Sequence, residues 1–334
     1  MKYELPPPSS SREEKSVQFK KYISLCFLTI QSSTLVLMLR YSRVEHQPGQ
    51  PMYLASTAVF FAELIKAVVC LLFLYKNSGK WSIFVDTLTD EIFGNWSELK
   101  LMMVPSGLYA LQNNLLFLAL SNLEAATFQI SYQLKILSTA LFSVLLLGTR
   151  LSRNKWLSLI LLMVGVILVQ LPSTSEASTT TEDASVTDLQ NPIVGLFAVI
   201  SACLSSGFAG CYFEKIVKKG PASMWVRNIQ LGIPALLFSM TAMLISDGRA
   251  IAHNGILYGY DTLTWVVVFN QALSGLLVAL VVKYAGNILK GFANSLSIII
   301  SSMISFYVFG FQPSPQFAMG AFIVITATLL YSRP

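Results

Sequence analysis

Charge is what this chain has least of. Asp, Glu, Lys and Arg make up 12% of its 334 residues, whereas roughly 25% are charged in a typical soluble protein. An ordinary water-soluble globule is thereby excluded. Histidine occurs only as His46 and His253, both in loops expected to face outward. There is no Asp-rich metal motif, no Walker loop and no nucleophile set beside a base, so the sequence offers enzyme chemistry little footing. The four cysteines, Cys26, Cys70, Cys203 and Cys211, fall inside apolar runs without zinc-type spacing. They read as small packing residues, not as metal ligands or disulfide partners. The opening MKYELPPPSSSREEKSVQFKKY is polar and proline-rich, with no apolar core ahead of a small-residue cleavage site. No removable signal peptide is expected, and the first helix serves as its own anchor.

Apolar residues are what remain: 54% of the chain is hydrophobic, and its mean hydropathy is +0.61. Runs of about 17–25 apolar residues suffice for a helix to cross a bilayer core. Ten such runs centre near Ile30, Val68, Leu111, Leu137, Leu162, Ala202, Leu237, Ala279, Ile300 and Ile325, predicting an all-α integral membrane protein. Basic loop residues set the orientation. With the N-terminus in the cytosol, the inside segments carry Lys2, Arg12, Lys15, Lys20 and Lys21, then Lys76, Lys80 and Lys100, then Arg150, Arg153 and Lys155, then Lys215, Lys218, Lys219 and Arg227, then Lys283 and Arg333. The outside loops hold Arg40, Arg43 and Arg249. Both termini are therefore expected to be cytosolic. The net charge of +6 follows from this topology and gives no reason to invoke nucleic acid.

The stretch from Pro172 to Pro192 is rich in Ser and Thr, acidic, and free of Lys and Arg, which reads as an outward-facing linker. It divides the chain into a cytosolic tail (1–21), a first transmembrane repeat (22–171), the linker (172–192), a second repeat (193–331) and a short cytosolic end (332–334). The fourth helix of each half carries a lysine, as YQLKILSTALFS and NILKGFANSLSI. Because each half has five helices, the second enters the membrane from the opposite side. That is the inverted-repeat organisation of many secondary transporters, with a site near the midplane. Asn95, in NWS, is a formal glycosylation sequon that this topology places in the cytosol and predicts to be unmodified.

Three basic residues lie inside helices: Lys66, Lys135 and Lys290. A charge at a helix centre costs roughly 2.5–3.5 kcal/mol on insertion scales, so each needs an explanation. Glu63 and Lys66 are three apart on one helix and read as a mutually neutralising structural pair, with gating or proton coupling as the alternative. Lys135 and Lys290 have no such neighbour. Two buried cations without carboxylates invite an anion; the alternative is snorkelling, or a contact with Glu124 or Glu214 at helix ends.

Around Lys290, the residues Asn287, Asn294, Ser297, Ser301 and Ser305 recur every three or four positions, a polar stripe that reads as cavity-lining. Helical spacing brings Ser131, Tyr132, Ser138 and Thr139 to the side of Lys135, flanked by Gln129 and Gln133. Interhelical serine bonding produces a similar pattern. In YALQNN, the residues Tyr109, Gln112, Asn113 and Asn114 suit a nucleobase, which offers edges for hydrogen bonds and a face for stacking; amides tying helices together fit the spacing as well. Ser206, Gly207 and Gly210 permit close approach of a helix or a ligand.

At QNNLLFLALSNLEAATFQISYQLKILSTALFSVLLL, SSGFAGCYFEKIVKK, WVRNIQLG and NILKGFANSLSI, the chain resembles the Golgi nucleotide-sugar transporters that carry UDP-galactose, UDP-N-acetylglucosamine and CMP-sialic acid. The resemblance runs from about Tyr22 to Tyr331. It implies ten helices in the drug/metabolite transporter fold, arranged as two inverted five-helix repeats. It also implies exchange of a cytosolic nucleotide sugar for a lumenal nucleoside monophosphate across the Golgi membrane. Lys135 and Lys290 match the family's phosphate-binding lysines. Its nucleoside contacts fall on Tyr109, Gln112, Asn113 and Tyr132, with Ser206, Gly207, Asn228 and Asn287 in matching motifs; Asn294 joins this set from the polar stripe.

The chain departs from the family pattern at Gly286, where an acidic residue is usual, at Phe128, where tyrosine is common, and at Glu124, where aspartate is usual. The segments STLVLMLRYSR and PSGLYALQNNLL, with Gly232, look more like the UDP-sugar branches. UDP-N-acetylglucosamine is the expected substrate, with UDP-galactose next and CMP-sialic acid behind. The resemblance implies no cofactor and no metal. It names a UDP-sugar, UMP and membrane lipid as partners, and leaves room for association with itself, with other nucleotide-sugar transporters or with glycosyltransferases. A uniporter or channel-type metabolite exporter on the same fold is the rival class.

Overall fold

Where water cannot satisfy the backbone, an apolar chain closes its hydrogen bonds internally, and every regular element among the described residues is helical. The computed structural model describes residues 11–44, 52–94, 96–123, 125–170, 191–219, 223–309 and 314–333. The sequon residue Asn95, Glu124, His46 and linker residues 172–190 lie outside the described residues. The helices are α1 (Ser11–Val44), α2 (Ala55–Ser78), α3 (Trp81–Leu88), α4 (Trp96–Asn122), α5 (Ala125–Tyr132), α6 (Leu134–Leu147), α7 (Arg153–Gln170), α8 (Pro192–Lys219), α9 (Met224–Asn254), α10 (Thr262–Tyr284), α11 (Asn287–Phe309) and α12 (Pro315–Ser332). A π-helical turn, Thr89–Phe93, follows α3.

Among the described residues, nine helices are long and apolar enough to cross a membrane: one within α1, then α2, the α5–α6 segment, and α7 through α12. The tenth expected span, α4, has 27 residues, enough for about 40 Å at 1.5 Å per residue. Its amides Gln112, Asn113 and Asn114 lower its hydropathy, and it is not one of the nine.

Local chemistry places the ends. The αL glycines Gly79 and Gly148 stop α2 and α6, as the missing Cβ allows. Ser223, Asp261 and Ser314 accept hydrogen bonds from Val226 N, Thr264 N and Phe317 N to start α9, α10 and α12, satisfying amides that a helix cannot pair itself.

The described residues fall into two compact units, each drawing on both halves of the sequence: 108–215 with 287–333, and 11–107 with 216–286. In the first, Ala140, Leu159, Leu162, Val166, Phe292, Ile299, Val324 and Ala327 form the core shared by α6, α7, α11 and α12. α7 and α12 meet backbone to backbone: a Cβ on Gly165 would stand 3.0 Å from both Gly320 O and Val324 N. Small residues make such an approach feasible in lipid, where the contact is held by dispersion. A second cluster, Ala119, Leu123, Ala198 and Val199, joins α4 to α8.

In the second unit, Phe84 of α3 and Ile92 of the π turn bury against Cys70, Leu74, Val226 and Ile229. The connection between α2 and α4 thus contains an anchored helix. The Glu63–Lys66 pair forms within α2, and Gly275 leaves room for the Lys66 stem, whose Cδ lies 2.9 Å from where a Cβ would stand. The expected pairing of these two residues is thus present. Arg227, 2% exposed, pairs with Glu98 and donates to Gln230 Oε1 at 3.0 Å, while Gln230 Nε2 donates to Glu91 O at 2.8 Å. α4, the π turn and α9 are joined there by one polar chain.

Candidate functional site

The first unit encloses a cavity of about 250 Å³. Lys135 and Lys290 both line it, one from α6 and one from α11. Tyr109 comes from α4, Tyr132 from α5, Thr139 from α6 and Ser206 from α8, while α11 supplies Asn287, Gly291, Asn294, Ser295 and Ile298. The wall opposite in chemistry comes from α7: Leu159, Leu162 and Val166 are apolar, and the row ends at Gln170. No ion pair between described residues involves either lysine. Two cations, two phenols and several amides in one lining, together with apolar side chains, suit a ligand having an anionic part and a flat or weakly polar part.

The backbone around Lys135 departs from the expected single helix. The chain breaks at Gln133, where Gln133 N donates to Ile130 O at 3.2 Å and Ile136 N donates to Gln133 O at 3.0 Å, an i→i+3 pattern. Neighbours take up the displaced groups. Cys203 Sγ donates to Tyr132 O at 3.4 Å, and Gln133 Nε2 donates to Gln170 Oε1 at 2.8 Å. The break is thus tied to α8 on one side and to α7 on the other. Tyr132 stacks on Phe128, with ring centres 5.7 Å apart, and its hydroxyl accepts from Gln112 Nε2 at 3.3 Å. The Lys135 ammonium lies 4.0 Å from the centre of the Tyr132 ring, a cation–π contact worth about 0.5–2 kcal/mol.

α8 is the element against which the two lysine helices are seated. Ser138 Oγ donates to Cys203 O at 2.6 Å, and Cys211 Sγ donates to Thr139 O at 3.3 Å. Gly210 abuts the Asn287 side chain. Glu214 Oε2 accepts from the backbone N–H of Asn287 at 2.8 Å. The cysteines Cys203 and Cys211 are free and buried, as packing residues would be, and they also donate to carbonyls.

Seven of the residues expected in the site line this cavity together: Lys135, Lys290, Tyr109, Tyr132, Ser206, Asn287 and Asn294. Gln112 stands behind Tyr132 as its hydrogen-bond partner. Gly207 packs against Ser138 and does not line the cavity. Asn113 is exposed. Asn228 belongs to the second unit, where its Nδ2 donates to Met224 O at 3.0 Å.

The polar stripe on α11 divides. Asn287, Lys290 and Asn294 reach the cavity, whereas Ser297 and Ser301 bond back to Asn294 O and Ile298 O of their own helix. Sequence reasoning missed Gln170, the apolar α7 wall and the Glu214 cap. The cap had a signal in the buried acid of YFEK; the wall has the spacing of any packed helix.

Residues 15–332 match the family described as nucleotide-sugar transporter. The UDP-N-acetylglucosamine transporter of Homo sapiens is 52% identical over 314 residues, 93% of this chain and 94% of that protein. The UDP-galactose translocator of Bos taurus is 47% identical over 331 residues, 99% of this chain and 81% of that protein. A UDP-N-acetylglucosamine/UDP-N-acetylgalactosamine transporter of Caenorhabditis elegans is 49% identical over 319 residues, 94% and 93% of the two chains. A crystal structure only 12% identical to the chain aligns with a TM-score of 0.64, covering 95% of this chain and 97% of that one, a likeness of fold alone. With a family match spanning nearly the whole sequence and half of all positions shared with its relatives, the chain is a multi-pass membrane protein that belongs to the nucleotide-sugar transporter family.

Proposed function

We propose that the protein is an antiporter that carries a UDP-sugar from the cytosol into the Golgi lumen in exchange for UMP, with UDP-N-acetylglucosamine as the favoured substrate. The observation that carries this reading is the pair of lysines, unpaired with any carboxylate among the described residues, on two different helices of one cavity. A UDP-sugar brings about two negative charges and UMP about −1.5 to −2 near neutral pH, since a second phosphate pKa lies near 6. Lys135 and Lys290 match either ligand in charge. Tyr109 and Tyr132, with Gln112 behind the latter, offer ring faces and hydrogen bonds to the uridine, while Ser206, Asn287 and Asn294 serve the remaining polar groups. Gly207 acts through packing, and Asn113 and Asn228 are assigned to substrate on the family resemblance.

The reading takes the ten helices as two inverted repeats with both termini in the cytosol, and alternating access between them as the transport cycle. An empty cavity leaves two cations in a poorly polarisable wall, which disfavours closure without a ligand and so favours obligatory exchange. Asn95 is then cytosolic, and a glycan found there would overturn the orientation. UDP-galactose is the second reading, favoured by the 47% identity to the bovine translocator.

Counterflow into proteoliposomes preloaded with UMP, CMP or no nucleotide tests the proposal, with labelled UDP-N-acetylglucosamine, UDP-galactose and CMP-sialic acid offered in parallel. Uptake that depends on internal UMP and is greatest for UDP-N-acetylglucosamine is expected. Equal uptake with and without internal nucleotide would replace exchange by a uniporter or channel.

A further inference from the structure

Besides the residues that line the cavity, α8 brings a carboxylate to its edge. Glu214 is 4% exposed, and its Oε2 accepts the Asn287 N–H at 2.8 Å. That amide is the first of α11, one of the N–H groups a helix cannot pair within itself. A carboxylate in this place both caps the helix and faces the positive end of its dipole. Lys290 lies one turn further along, and Asn287 and Lys290 line the same cavity. Two glycines shape the approach. Gly286, at φ +86°, turns the chain into α11. Gly210, one turn before Glu214 on α8, leaves space that the Asn287 side chain fills. The carboxylate is therefore fixed on an amide three residues before the lysine, beside the lining residue Asn287 of a site whose proposed ligand is an anion.

We propose that Glu214 is a positioning residue that holds the first turn of α11 in place and offsets part of the Lys290 charge in the empty cavity, so that it weakens nucleotide binding and eases return of the unloaded carrier. The proposal rests on the nucleotide-sugar reading above. With Glu214 counted, the empty cavity and its immediate surroundings carry a smaller positive charge than the two lysines alone supply. A ligand must then bind against one fixed negative charge.

Glu214→Gln and Glu214→Ala in the full chain separate the two roles, because the glutamine oxygen still accepts the Asn287 N–H while the charge is gone. Affinity for UMP is read from the ligand-induced shift in thermal unfolding, and KM and maximal rate from counterflow in proteoliposomes. Glu214→Gln is expected to fold, to bind UMP about three- to tenfold more tightly, to lower KM, and to reduce uptake into vesicles without internal nucleotide relative to exchange. Glu214→Ala is expected to lower Tm and raise KM. The proposal is overturned if Glu214→Gln leaves affinity and KM at wild-type values, or if it behaves like Glu214→Ala. Failure of Glu214→Gln to fold also overturns it, since the retained acceptor should suffice for the cap. Wild-type protein run alongside distinguishes the layers: absence of any UMP-dependent shift or exchange there sinks the function itself, whereas wild-type exchange with an unaltered glutamine variant sinks only the role of Glu214.

Discussion

Gly207 of α8 lies against Ser138 of α6 with no space between them for a methyl group. A Cβ at 207 would fall on the serine hydroxyl, with the Ser138 carbonyl carbon 2.8 Å away and Thr139 N 2.9 Å away. Backbone cannot yield as a flexible side chain can. Gly207→Ala should therefore destabilise the protein by about 1–3 kcal/mol, the usual range for overpacking. A lowered Tm in detergent with a parallel loss of transport is the expected result. An unchanged Tm would show that α8 and α6 are less closely seated than described.

Gly291 is the contrasting case. It lines the cavity, and a Cβ there meets nothing within 4 Å. Gly291→Ala should leave Tm unchanged or raised, since alanine is the better helix former by roughly 1 kcal/mol. Gly291→Leu should still fold but obstruct the ligand, raising KM or abolishing counterflow. Loss of both fold and transport in the alanine variant would contradict the cavity as drawn.

Removal of either lysine should trade stability against function. Lys135→Gln and Lys290→Gln each delete a cation that lacks a carboxylate partner among the described residues. For Lys135→Gln the empty protein should be as stable as wild type or more so, because a costly intramembrane charge is gone; for Lys290→Gln the gain should be smaller, because buried Glu214 lies near that charge. Exchange should fall by about two orders of magnitude or more, consistent with roughly 3 kcal/mol or more for a desolvated ion pair with phosphate. Wild-type counterflow rates in either variant would remove the phosphate role from that lysine.

The Tyr132 side chain makes three contacts, with Lys135, Gln112 and Phe128. Tyr132→Phe keeps the ring under Lys135 and against Phe128 and loses the Gln112 bond; Tyr132→Leu loses all three. The phenylalanine variant should show a several-fold rise in KM and the leucine variant a larger one, with the difference reporting the two ring contacts together, of which the cation–π contact is worth about 0.5–2 kcal/mol. Equal effects would mean that the ring contributes nothing beyond its hydroxyl.

Much of this arrangement was legible in the residues, because membranes impose few patterns and strong ones. Apolar runs announced the helices, and the two lysines stood out because a buried charge in an oily run is costly and has to be compensated. α4 was the least regular run for the same reason that it was interesting: its amides. The break at Gln133 left no trace, since the residues Ser131, Tyr132 and Gln133 include neither Gly nor Pro, and their exchange of partners depends on α7 and α8. Asn113 looked equivalent to Gln112 in sequence, yet successive helix positions turn by about 100°, and only Gln112 is directed to Tyr132. Ser297 and Ser301 kept the spacing of the cavity stripe while bonding to their own helix, an option always open to serine in an apolar setting.

The interruption at Gln133 also sets the angular register of the residues on either side of it. In an uninterrupted α-helix, side chains three apart are offset by about 60° around the axis, whereas in a 3₁₀ turn they eclipse. Tyr132 and Lys135 are three apart and straddle the tightened turn, which brings the ring beneath the ammonium. Their contact is thus written into the path of the main chain. Restoring a continuous helix there would turn the two side chains about 60° apart around the axis while leaving every amino acid of the site in place.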